Sequence, residues 1–159
     1  MAVVTGGNKG IGYETTLHLA IRKAKVYLAT RSQTNASTAI EEIKAHDPSI
    51  HVEFLPLDLA NLKSVREAAD QILQTEKTID ILVCNAGVVA QEMSLTEDGI
   101  EIDFQTNYLG LYGSRKVADN RTLLLHSFVI RSRKPIGGRT NCYGLLKQPQ
   151  NICAERHDV

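Results

Sequence analysis

Residues Thr5 to Gly12 read TGGNKGIG, a stretch in which four of eight positions are glycine, directly behind the apolar run Ala2-Val3-Val4. A strand, a glycine-rich turn and a helix in that order gather free backbone N–H groups and the positive end of a helix dipole at one point, which suits a phosphate. Glycine permits positive φ in the turn and lets an anion approach the main chain with no Cβ between them. Spacing narrows the choice of phosphate site. A nucleoside-triphosphate loop started at Gly7 reaches Gly12 but meets Tyr13 where its lysine must stand, and the G-x-G-x-x-G dinucleotide fingerprint does not fit either. What is present is T-G-x-x-x-G-x-G, built from Thr5, Gly6, Gly10 and Gly12.

Outward from this turn, short apolar runs rich in β-branched residues alternate with longer amphipathic stretches, the pattern of parallel strands joined by crossover helices. Strands are predicted at Ala2–Thr5, Lys25–Thr30, Ile50–Leu57, Ile79–Cys84 and Ser127–Arg131. The periodicity predicts helices over Ile11–Lys23, Ala36–Ala45 and Leu62–Leu73, with apolar faces that include Ile11, Leu17 and Ala20 in the first and Val65, Ile72 and Leu73 in the third. Asn35 and Asn61 stand where N-caps belong for the second and third helices. The fold class is therefore α/β, a doubly wound parallel sheet of Rossmann type. It is expected to be incomplete at its C-terminal side, with ligands at the carboxyl ends of the strands.

The chain has 159 residues, the length of one domain. Lys+Arg equals Asp+Glu at 18 each, which excludes a general nucleic-acid binder and a disordered tail protein. The balance hides an asymmetry: residues 1–112 carry 9 basic and 15 acidic side chains, residues 113–159 carry 9 and 3. We therefore divide the chain into a dinucleotide-binding half, 1–112, and a divergent basic tail, 113–159, with room for one further helix and strand of the same domain. The tail lacks the aromatic interleaving of a nucleic-acid surface, so no specific nucleic acid is expected. The longest apolar stretch, Leu123 to Ile130, is far short of the ~20 residues of a membrane span. Cys84, Cys142 and Cys153 form an odd set with no secretory leader ahead of them, which points to a reducing, cytoplasmic setting. Cys142, Cys153 and His157 lack the ligand logic of a zinc site, and no metal is expected.

The glycine pattern resembles the cofactor loop of the short-chain dehydrogenase/reductase family, and further family marks follow in order: Arg31, Asp58-Leu59, Asn85-Ala86-Gly87 and Asn107 in TNYLG. The resemblance covers residues 1 to about 112. The phrase TEDGIEIDFQTNYLG, Thr96 to Gly110, is most similar to the retinol-dehydrogenase-like branch, in a C-terminally truncated or divergent form. The resemblance implies a nicotinamide dinucleotide held by Thr5, Gly6, Asn8, Lys9, Gly10, Ile11 and Gly12, with Asp58 and Leu59 at the adenine. It also implies that Asn85, Ala86 and Gly87 close over the adenosine side, and that Asn107 helps to hold a water beside a catalytic lysine.

Arg31 decides between the two nicotinamide cofactors. About twenty residues after the glycines an NAD site places a carboxylate on the ribose hydroxyls, whereas here the sequence is Thr30-Arg31-Ser32. A guanidinium pairs with a 2′-phosphate through two parallel hydrogen bonds, and the Lys9 ammonium beside the turn adds to that preference. NADP is the expected cofactor.

Reductase chemistry of this kind needs a tyrosine to protonate the carbonyl oxygen, a lysine one helical turn later to lower its pKa, and a serine to hold the oxygen. Tyr143 and Lys147 have that spacing, with Ser132 upstream. The same spacing recurs at Tyr112 and Lys116, and Pro149 would stop a helix immediately after Lys147. Two readings stay open. One is an NADP-preferring oxidoreductase that interconverts a small-molecule carbonyl and an alcohol through Ser132, Tyr143, Lys147 and Asn107. The other is an inactive dinucleotide-binding module or a truncated product of such an enzyme. An oligomer is compatible with both.

Overall fold

The computed structural model describes residues 1–115 and 123–126. Strand β1 (Ala2–Thr5) leads through the glycine turn into helix α1 (Gly10–Ile21), followed by β2 (Val26–Thr30), α2 (Gln33–His46), β3 (Val52–Pro56), α3 (Leu62–Thr75) and β4 (Ile81–Cys84). A continuous helical stretch follows, made of α4 (Ile102–Phe104), a wide π-helical turn (Gln105–Leu109) and α5 (Gly110–Arg115); the last described strand is β5 (Leu123–His126). All pairings are parallel, in the order β3-β2-β1-β4-β5. The chain reverses direction across the sheet between β1 and β4, which opens a crevice at their carboxyl ends.

Strand β1 lies at the centre, in register with Val26 to Ala29 on one side and with Ile81 to Val83 on the other. All four of its residues are buried, because α1 and α2 cover one face of the sheet and α3 the other. Ala2 and Val4 join the core beneath α1 and α2, and Val3 joins the core beneath α3. Burial on both faces accounts for the unbroken apolar runs seen in the sequence. Edge strand β3 alternates instead, with Glu53 and Pro56 exposed; a proline is tolerated there because no neighbour needs its N–H.

Four sequence expectations change. Helix α2 begins at Gln33, and Ser32, not Asn35, is its N-cap, its Oγ accepting from the Asn35 N–H at 3.3 Å. Both residue types can cap, and the apolar periodicity beginning at Ala36 concealed the extra turn. Asn61 does cap α3, accepting from the Lys63 and Ser64 N–H groups. Ile11 is 63% exposed, because α1 packs through Gly12, Thr16, Leu17 and Ala20. Leu73 is exposed as well, since α3 turns Val65, Ala68 and Ile72 inward. The fifth strand lies at Leu123–His126, ahead of the expected Ser127–Arg131, which falls outside the described residues.

Candidate functional site: a cleft at the carboxyl ends of the strands

The glycine turn is shaped at three positions for three reasons. Gly6 and Gly10 have φ of 65° and 56°, a conformation that costs other residues about 1–2 kcal/mol. A Cβ on Gly12 would stand 2.2 Å from the Gly6 carbonyl oxygen, so only glycine lets α1 come this close to the turn. A Cβ on Gly10 would meet nothing within 4 Å: its outer side faces open space. Lys9, at the N-cap of α1, makes no side-chain capping bond, and no acidic residue occupies the first turn. The helix therefore presents an uncompensated positive end to that space.

The floor of the cleft is tied across β1 and β4. Thr5 Oγ1 donates to the Val83 carbonyl at 3.2 Å and accepts from the Asn85 and Ala86 N–H groups, each at 3.0 Å. The Asn85 side-chain amide donates to the carbonyls of Thr5 (2.9 Å) and Gly6 (3.3 Å). Both side chains are buried. A Cβ on Gly6 would sit 3.1 Å from the Ala86 Cα, so the glycine turn and the segment after β4 are in close contact.

These elements enclose a cleft of about 750 Å³, within the usual range for cofactor sites. Of the residues expected at a cofactor, Thr5, Gly6, Asn8, Lys9, Gly10, Ile11, Arg31, Asp58, Leu59, Asn85, Ala86 and Gly87 line it, and Gly12 lies beneath its floor. Exposed Lys9 and Arg31 form no salt bridge with a described residue. Across from them, Asp58 Oδ1 accepts from the Ala60 N–H at 2.9 Å, and the Asp58 N–H donates to Ser64 Oγ at 2.9 Å.

Asn107 sits in the π-helical turn with both ends of its amide engaged. Oδ1 accepts from the Val88 N–H and Nδ2 donates to the Val88 carbonyl, each at 2.8 Å. Its side chain thus fastens the segment that follows Gly87 to the helix. A second clamp holds the loop before α4: Asp98 Oδ2 accepts from the Leu62 N–H at 2.9 Å and from the Gln105 amide at 2.6 Å, and Gln105 Oε1 also accepts from the Thr96 hydroxyl. The Leu62 N–H, aided by the Gln105 amide, lowers the Asp98 pKa below its ordinary 3.8.

Ser132, Tyr143 and Lys147 lie outside the described residues. Sequence reasoning missed Ser32, Asn35 and Thr106, which also line the cleft. Thr106 gave no signal in the sequence; a Cβ on Gly110, four residues later, would be 2.6 Å from the Leu59 carbonyl oxygen, so the helix is pressed onto the Asp58–Leu59 segment there. Among the described residues no helix is long and apolar enough to cross a membrane.

Residues 1–120 match the family model described as short chain dehydrogenase. The chain is 46% identical over 158 residues to the short chain dehydrogenase/reductase dpfgH of Gibberella zeae, a match covering 97% of this chain and 44% of that protein. It thus extends past the change of composition near Gly113. Retinol dehydrogenase 13 of Homo sapiens is 44% identical over 108 residues, 68% of this chain and 33% of its own length. The X-ray structure of an alcohol dehydrogenase from Thermococcus sibiricus complexed with 5-hydroxy-NADP superposes with a TM-score of 0.62 at 26% identity, covering 73% of this chain and 50% of that one. The chain spans less than half the length of these curated relatives.

Proposed function

We propose, since the chain belongs to the short-chain dehydrogenase family, that it is an NADP-preferring oxidoreductase interconverting a small-molecule carbonyl and an alcohol in the cytoplasm. The observation that carries this reading is the turn at Gly10, open toward a cleft where the α1 N-terminus, Lys9 and Arg31 present positive charge with no acidic partner among the described residues. A pyrophosphate at the α1 N-terminus is held by backbone N–H groups. A 2′-phosphate toward Arg31 gains paired, charge-assisted hydrogen bonds. The 5-hydroxy-NADP in the Thermococcus sibiricus structure supports the same assignment for this chain.

The nicotinamide of a cofactor held by these residues would supply or accept the hydride. Tyr143 gives its phenolic proton to the carbonyl oxygen during reduction and takes it back during oxidation. Lys147, four residues on in the sequence, stabilises the phenolate, and Ser132 donates a hydrogen bond that orients the oxygen. Asn107 supports the site by fixing Val88.

A second reading is a dinucleotide-binding module without turnover, which needs only the cofactor-lining residues of the described cleft. Calorimetric titration with NADPH and NADH, followed by turnover of an aldehyde and ketone panel with Tyr143→Phe as control, separates the readings. Preferential NADPH binding with turnover abolished by Tyr143→Phe supports the oxidoreductase. Binding without turnover selects the module. Equal affinity for both cofactors removes the NADP assignment.

A further inference from the structure

Four threonines inside these helices dispose of their hydroxyls in one way. Thr15, Thr16 and Thr75 donate to the carbonyl four residues earlier, at 2.8, 2.8 and 2.9 Å, and Thr38 does so at 3.3 Å. Thr106 differs from these four. It lies in the π-helical turn, where the backbone ladder is widened and the usual carbonyl is displaced. The residue is 7% exposed, and its Oγ1 has no hydrogen-bond partner among the described residues. A buried hydroxyl without a partner is costly, so its retention calls for an explanation.

Its surroundings supply one. Thr106 forms part of the wall of the cleft, with Asp58 and Leu59 on the segment that the same helix packs against at Gly110. Threonine has staggered rotamers, so a rotation about the Thr106 Cα–Cβ bond can turn the hydroxyl toward the cleft. Of the Asp58 carboxylate, Oδ1 takes the Ala60 N–H, and Oδ2 carries no hydrogen bond from a described residue. An ionised carboxylate only accepts, whereas a threonine hydroxyl can donate. Acceptor and donor together match the edge of adenine, where an amino group stands beside a ring nitrogen.

We propose that the Thr106 hydroxyl donates a hydrogen bond to a ring nitrogen of the adenine of the bound dinucleotide, beside the amino group accepted by Asp58. The assignment rests on the cofactor reading above and adds a residue that reads the base. A hypoxanthine or guanine base presents a carbonyl where adenine has its amino group, which Asp58 would repel.

The test uses the full chain and its Thr106→Val and Thr106→Ser variants, titrated calorimetrically with NADP and with its 1-deaza- and 7-deazaadenine analogues, each lacking one ring nitrogen. Wild type is expected to bind one deaza analogue about fivefold more weakly than NADP, the worth of one hydrogen bond. Thr106→Val should bind NADP about fivefold more weakly and fail to discriminate that analogue, while Thr106→Ser retains the wild-type pattern. The ligand-free melting temperature of Thr106→Val should equal or exceed that of wild type. A lower melting temperature, or failure to fold, would show that the hydroxyl has a structural partner and would overturn the assignment. So would Thr106→Val binding all three ligands as wild type does. Absence of NADP binding by the wild-type chain would overturn the cofactor reading itself, and this assignment with it.

Discussion

Asn85 grips Thr5 twice: its main-chain N–H donates to the Thr5 hydroxyl at 3.0 Å, and its side-chain amide donates to the Thr5 carbonyl at 2.9 Å. The pair closes the sheet at the point where the cleft opens, so stability and ligand binding depend on the same bonds. Thr5→Val keeps the shape but removes the acceptor of the Ala86 N–H and one acceptor of the Asn85 N–H, which also donates to the Val83 carbonyl at 3.1 Å. Unfolding in urea should show a loss of about 2 kcal/mol or more, with a matching fall in cofactor affinity.

Two glycines of the turn should respond differently to alanine. At Gly12 the new methyl meets the Gly6 carbonyl at 2.2 Å, a backbone atom that cannot step aside. Gly12→Ala is expected to cost about 3 kcal/mol or more. At Gly10 the methyl meets no protein atom and the cost is the strained backbone alone, about 1–2 kcal/mol. Gly10→Ala should therefore stay folded by circular dichroism and lose dinucleotide binding, because the methyl fills the side on which the phosphate must approach.

Arg31→Glu replaces the group proposed to pair with the 2′-phosphate with one that repels phosphate and can hold ribose hydroxyls. The ratio of NADPH to NADH affinity should fall by at least about tenfold, measured by calorimetry on both variants. The melting temperature should hardly move, since Arg31 is exposed and pairs with no described acidic group.

Asp98 should impose an acid limit on the loop it anchors. Its folded pKa is lowered by the Leu62 N–H and the Gln105 amide, so the unfolded chain takes up a proton first as pH falls. The stabilisation is present above the ordinary carboxylate value of 3.8 and disappears as pH drops through the lower folded value. Hydrogen exchange at Leu62, compared between pH 6 and the acid side of 4, should show this loss in the wild type. Asp98→Asn should flatten the dependence.

Much of this architecture was legible because burial on two faces leaves a mark: β1, β2 and β4 are apolar without interruption, and the glycines between β1 and α1 have no other economical explanation. Asn61 was legible as a cap from side-chain chemistry alone. Ile11 was not, since a period of 3.6 cannot register that the missing side chain of Gly12 is what seats the helix and turns its neighbour outward. Ser32 and Asn35 compete for one role with the same kind of oxygen. The Thr106 hydroxyl, without a partner among the described residues, lies in a widened turn that no residue pattern announces.

The grip of Asn85 on Thr5 joins positions 80 residues apart. A nascent chain that has made only its first strand and helix cannot yet have this nucleotide crevice, because the turn is fixed from the far side by β4. Closing so long a segment is slow compared with forming local helices. Coenzyme can therefore assist folding only at the last stage of assembly, as a wedge that holds the closed sheet shut, and early intermediates should form at the same rate with or without it.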